Sequence, residues 1–64
     1  MTDDTLPRAI GRVATRELAH RGITTLTQAA ERTERDLLAI HGVGPKAIRI
    51  LREELAATGR SFTE

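Results

Sequence analysis

Apolar residues recur every three or four positions along most of the chain, and none alternate with period two. That pattern predicts a series of short helices and no strands. Ile10, Ala14 and Leu18 share one face of a segment starting near Arg12. Arg12, Arg16 and His20 fall on the opposite face, and Val13 lies at the edge between them. Gly22 stops this helix as a glycine just past its end, with Arg21 favourable at the negative pole. Thr24 or Thr25 caps a second helix over about residues 26–31. Thr33 caps a third over about residues 34–40, with Asp36 three positions on in a box-like arrangement. Leu37, Leu38 and Ile40 are its apolar residues. A fourth helix is expected over residues 45–58, burying Ala47, Ile48, Leu51 and Leu55. Lys46, Arg49 and Glu53 take its outer side, with an i, i+4 pair expected between Arg49 and Glu53. Gly59 ends it, and Phe62 is expected to fold back over the core. Residues 1–6 read as a disordered polar tail and residues 7–64 as one domain. Residues 18–23 are echoed at 38–43, which suggests two related helix–turn–helix units.

Composition narrows the function classes. A chain of 64 residues without cysteine has no disulfide framework and no thiolate metal site. Its stability must come from packed helices, because so short a chain buries only about 60% of its unfolded surface. Phe62 is the one aromatic residue, which disfavours a base-stacking platform for single strands. No apolar run approaches the roughly 20 residues needed to span a bilayer, and the acidic start does not suit a secretory signal. The expectation is a cytoplasmic protein, nucleoid-associated if it binds DNA, with no membrane partner. The net charge of +1 conceals an uneven distribution. Asp3, Asp4 and Glu64 sit at the two ends, and the interior holds ten basic residues against six acidic ones. Nine of the ten are arginine, whose forked donors suit phosphate. A net charge this small argues against strong nonspecific binding to every polyanion.

The segment His41-Gly42-Val43-Gly44-Pro45 is the strongest stop signal in the chain. Both glycines can take positive φ, and Pro45 suits the first turn of the helix that follows. The opening amides of that helix have no partner inside it, and its dipole places partial positive charge there. Val43 can point inward and anchor the turn. Backbone without Cβ atoms in front of a helix N-terminus forms a cradle for an anion such as phosphate. Lys46 reaches the same anion and Arg49 extends the positive strip. Arg12 and Arg16 offer a second basic face. The plainer alternative is a tight connection between packed helices. A Walker-type run is absent, and a dinucleotide fold would need a third glycine and a preceding strand.

The run of residues 37–51, Leu-Leu-Ala-Ile-His-Gly-Val-Gly-Pro-Lys-Ala-Ile-Arg-Ile-Leu, resembles a helix–hairpin–helix motif. The wider stretch from about Gly11 to Phe62 resembles, without gaps, the C-terminal domain of the bacterial RNA polymerase alpha subunit. The Gly22-Ile23-Thr24-Thr25 turn, Thr33-Glu34 with Asp36-Leu37-Leu38, Gly44 with Lys46, and Leu55 with Gly59 and Ser61 carry the likeness. It implies a compact, all-α, SAM-like bundle of four to five short helices. It also implies a hairpin that holds DNA backbone in the minor groove, through Gly44, Lys46 and their neighbours His41, Gly42, Val43, Ala47 and Arg49. Three positions depart from the family pattern. Ala47 stands where the polymerase domain has a serine, Gly42 where it has an asparagine, and Val13 where it has its principal arginine. Arg12 and Arg16 are near enough to Val13 to substitute. The chain holds no counterpart of the alpha subunit's assembly domain, so a free-standing bacterial relative is expected.

Side chains suited to catalysis are not gathered. His20 and His41 lack the spacing of a helical metal pair, and a zinc site needs three or four ligands. His41 at the turn can add charge near phosphate at low pH. Glu53 and Glu54 are adjacent and project about 100° apart, so they do not flank one substrate. No enzyme activity, metal or cofactor is expected. The sequence thus points to a small double-stranded DNA-binding protein of little sequence specificity, connected with transcription, acting as a monomer or weak homodimer. The alternative is a protein–protein interaction module of transcription or DNA-repair machinery that keeps the fold without binding DNA. An exposed apolar patch centred on Ile50 would favour it.

Overall fold

Threonine caps open two of the helices, and glycine turns close two others. In a computed structural model that describes residues 4–63, a 3₁₀ turn at Arg8–Ile10 precedes four α-helices. They are α1 (Arg12–His20), α2 (Leu26–Ala30), α3 (Glu34–Leu38) and α4 (Pro45–Ala56). There is no strand among the described residues; one antiparallel bridge joins Thr5 to Thr25. The fold is all-helical, with no helix long and apolar enough to cross a membrane among these residues.

Gly22 takes φ 77° after α1. The Ile23 N–H then donates back to Leu18 O at 2.9 Å and the Gly22 N–H to Ala19 O at 3.0 Å, the two bonds of a Schellman cap. The same arrangement closes α4 around Gly59, with the Arg60 N–H on Leu55 O at 2.8 Å. It ends α4 at Ala56, two residues before the expected limit. Helix α2 opens on a full capping box. Thr25 accepts from the Gln28 N–H at 3.1 Å, and the Gln28 side chain accepts from the Thr25 N–H at 3.1 Å. Thr33 accepts from the Asp36 N–H at 3.0 Å, which is the Thr33 half of such a box alone. Helix α3 is shorter than expected, ending at Leu38 as the chain tightens into the turn that follows.

Helix α4 is the centre of the packing and lies against the 3₁₀ turn, α2 and α3. Its stripe Ala47, Ile48, Leu51 and Leu55 is buried as the spacing predicts. Ile10 of the 3₁₀ turn, Ala14 and Leu18 of α1 and Phe62 are buried in the same core cluster. Burying a leucine such as Leu51 contributes about 1.5–3 kcal/mol. Only one of the two leucines of α3 takes part. Leu37 is fully buried, whereas Leu38 is 44% exposed. The proposed repeat fails at this point, since Leu18, the counterpart of Leu38, is fully buried.

Both ends of the described chain converge on α2. The polar tail expected at residues 1–6 is corrected from Asp4 onward; residues 1–3 lie outside the described residues. The Leu26 N–H donates to Asp4 O at 2.7 Å, and the Thr27 N–H to Asp4 Oδ2 at 3.2 Å. Arg60 Nη1 reaches Asp4 Oδ1 at 3.2 Å and Thr27 Oγ1 at 3.1 Å. Thr63 donates its backbone N–H and its hydroxyl to Ala30 O. An acidic side chain meeting the opening amides of a helix explains why the segment docks.

The Thr27 hydroxyl and amide, with the Arg60 guanidinium, hold the Asp4 carboxyl below its ordinary value of 3.8. The folded state therefore binds this proton less readily than the unfolded one. The staple contributes in full above pH 3.8 and is lost as pH falls through the lowered folded value. Urea midpoints measured down the acid range should fall less steeply for Asp4→Asn than for the parent. Identical profiles would show that the staple does not contribute.

Candidate nucleic-acid interface

The connection from α3 to α4 is built by two buried side chains and two glycines in different conformations. Ile40 and Val43 are both buried, and the Val43 N–H donates to Ile40 O at 3.1 Å. Val43 anchors the turn, as its place between the glycines predicts. Gly42 has φ 90°, a conformation that L side chains avoid. A Cβ there would also stand 2.7 Å from Val13 Cγ1 and 3.2 Å from Glu17 Cγ. The turn thus lies directly against α1, and Gly42 is required by both its backbone and its neighbours.

Gly44 differs from the expectation. Its φ of −106° and ψ of −179° are extended, so it is the N-cap of α4 and not a second left-handed residue. Pro45 fixes φ at the first helical position, and Gly44 only has to deliver the chain to it. Nothing lies within 4 Å of where its Cβ would be. Neither conformation nor packing demands glycine at position 44. No side chain caps α4, so the amides of Lys46 and Ala47 at its opening receive no acceptor of that kind. Ala47 is buried in the core. His41 is exposed beside the turn.

Lys46 and Arg49 line an open groove with Pro45, Ile48 and Arg52 of α4 and Glu34 and Leu38 of α3. Both are exposed, and neither forms an ion pair among the described residues. The expected Arg49–Glu53 pair is absent, because an exposed pair gains little for holding two long side chains still. Arg52 is engaged: its Nε and Nη2 donate to Glu34 Oε1 at 2.8 and 2.5 Å.

Arg12 and Arg16 are placed elsewhere. They line a second groove with Arg8, Gly11, Thr15 and Ala19, and the two grooves share no residue. On α1 the direction of Arg12 and Arg16 is turned about 100° from that of Val13 and Glu17, which face the turn. Arg16 lies 4.0 Å from Glu17, a loose pair in which Arg16 is exposed and Glu17 half-buried. Val13 is 50% exposed and sits against Gly42. Arg8 is a basic residue of this groove that the helical pattern misses. Its spacing of four from Arg12 was the available signal, interrupted by the 3₁₀ turn and Gly11. Among the described residues no three His, Asp or Glu side chains gather as a metal ligand set.

No family model, curated protein or solved structure matches this chain.

The two glycines of the turn should respond differently to substitution. Gly42→Ala should lower stability by about 1–2 kcal/mol from its left-handed backbone alone. Adding Val13→Ala should recover only the packing part. Gly44→Ser should change stability by no more than a few tenths of a kcal/mol, since serine caps at least as well as glycine. Urea denaturation of the variants checks both, and equal losses at the two positions would contradict the assignment.

Proposed function

We propose that this chain is a small, non-enzymatic protein that grips the phosphate backbone of double-stranded DNA, with a helix–hairpin–helix as its binding element. The observation that carries the reading is the open start of α4. Gly44 faces free space without a conformational need for glycine, no side chain caps the helix, and Lys46 and Arg49 stand beside it without acidic partners. One phosphate seats on the opening amides of α4, held by the helix dipole. Lys46 and Arg49 neutralise it and its neighbour. Arg12 and Arg16, in the separate groove on α1, reach the backbone of the other strand across the minor groove. Gly42, Val43 and His41 shape the turn rather than reading bases. Contacts of this kind position a protein on DNA and carry little sequence information. The likeness to the polymerase alpha C-terminal domain gives the same reading a transcriptional setting.

A second reading draws on the apolar surface. Ile50 does not centre an exposed patch; it is half-buried against the core. Val13 and Leu38 are the exposed large apolar residues instead. They favour a protein partner at the α1 and α3 sides of the turn, in a module that keeps the fold without DNA.

Fluorescence anisotropy with a labelled duplex across a salt series separates the two. With Lys46, Arg49, Arg12 and Arg16 engaged, log K should fall against log salt with a slope of about −3.6. Gly44→Asp should keep or improve α4 capping while placing a carboxylate in the phosphate seat, and should abolish most of the binding. Lys46→Glu should weaken binding without unfolding the protein. If both variants bind as the parent does, the site is wrong, and absence of binding by the parent at low salt favours the protein partner.

A further inference from the structure

We infer that Arg52 is a fifth phosphate-binding residue of this surface, withheld by Glu34, so that the groove beside the turn binds DNA below the capacity of its cations. The inference rests on the DNA-binding reading above. Lys46, Arg49 and Arg52 are spaced three apart on α4, and all three line the one groove. The first two are unpaired among the described residues, and the third is not. Arg52 directs Nε and Nη2 onto a single oxygen, Glu34 Oε1, so the contact lacks the two parallel bonds of a fork-to-fork pair. Its side chain is 55% exposed and that of Glu34 30% exposed. The pair is partly open to water, so removing Glu34 frees the Arg52 guanidinium without leaving a buried charge.

Glu34 opposes DNA in two ways. Its carboxylate occupies the donors of Arg52, and its charge stands in a groove that a phosphate would enter. Its place is also favourable for α3, as the first residue of that helix. A phosphate oxygen offers Arg52 the same acceptor chemistry as Glu34 does, and arginine suits either partner. While Glu34 holds those donors, Arg52 neutralises no phosphate, which keeps the grip weak and its salt slope shallower by one contact.

The test is a set of four proteins: parent, Glu34→Gln, Arg52→Gln and the double variant. Circular dichroism confirms their helix content, and each is titrated with the same duplex at several salt concentrations. Releasing Arg52 in Glu34→Gln adds one neutralised phosphate and should steepen the salt slope by about 0.9. The gain in affinity over the parent should then be about 3.5-fold larger at 50 mM salt than at 200 mM. Arg52→Gln alone should leave the parent's slope unchanged, and in the Glu34→Gln background it should restore that slope. Parallel salt lines for Glu34→Gln and the parent would overturn the inference, because relief of charge repulsion alone adds no phosphate contact. A shallower slope for Arg52→Gln alone would overturn it too, by showing Arg52 already engaged. Binding by the parent with either result leaves the DNA reading standing. Absence of duplex binding by both the parent and Glu34→Gln removes that reading and this inference together.

Discussion

The close approach of the glycine turn to α1 is the constraint on which the rest of the molecule depends. Val13 Cγ1 and Glu17 Cγ occupy the space that a Cβ at Gly42 would need. With that approach fixed, Val43 drops into the core and Gly44 leaves the turn in extended form, so α4 starts at Pro45 pointing across the molecule. The buried stripe of α4 then organises the 3₁₀ turn, α2 and α3 around it. The opening of α4 is left without a side-chain cap. A side chain at Gly42 would therefore disturb the turn at the point where it meets α1.

The electrostatic design is restrained. Lys46, Arg49, Arg8 and Arg12 stand without ion pairs among the described residues, while Glu17 and Glu34 lie at the edges of the turn and its groove. A net charge of +1 is then the sum of a locally basic face and acids placed around it. Such a surface suits transient contact with a backbone more than tight adhesion to any polyanion. The two grooves do not form one continuous strip, so engagement of both depends on a ligand wide enough to bridge α1 and α4. A duplex, about 20 base pairs of which carry 40 phosphates on two strands, meets that condition better than a single small anion does.

Much of the fold was legible because its signals are local. The stripe of α4, the stop glycines 22 and 59, and the caps Thr25 and Thr33 each announce themselves within four residues. What escaped depends on distant partners. Asp4 reads as tail, yet it staples α2 to Arg60, a contact that no local pattern encodes. Leu37 and Leu38 are equivalent by type, and only the tertiary position of α3 decides that one is buried. Gly42 and Gly44 are equivalent by type as well, yet the first takes a positive φ in the turn and the second leaves it in extended form as the N-cap of α4. The residues of the candidate site were legible individually. Their division into two grooves, the addition of Arg8 and the pairing of Arg52 with Glu34 come from the packing of α1 and α3, which a linear reading does not contain.

The most direct test of the central claim is a nitrogen–proton NMR titration of the labelled protein with a short duplex at low salt, repeated at higher salt. Shifts should concentrate at residues 42–49, led by the Gly44, Lys46 and Ala47 amides, with a smaller set at Arg12 and Arg16, all fading as salt rises. An unchanged spectrum at high duplex concentration, or shifts confined to surfaces away from the turn, would contradict it.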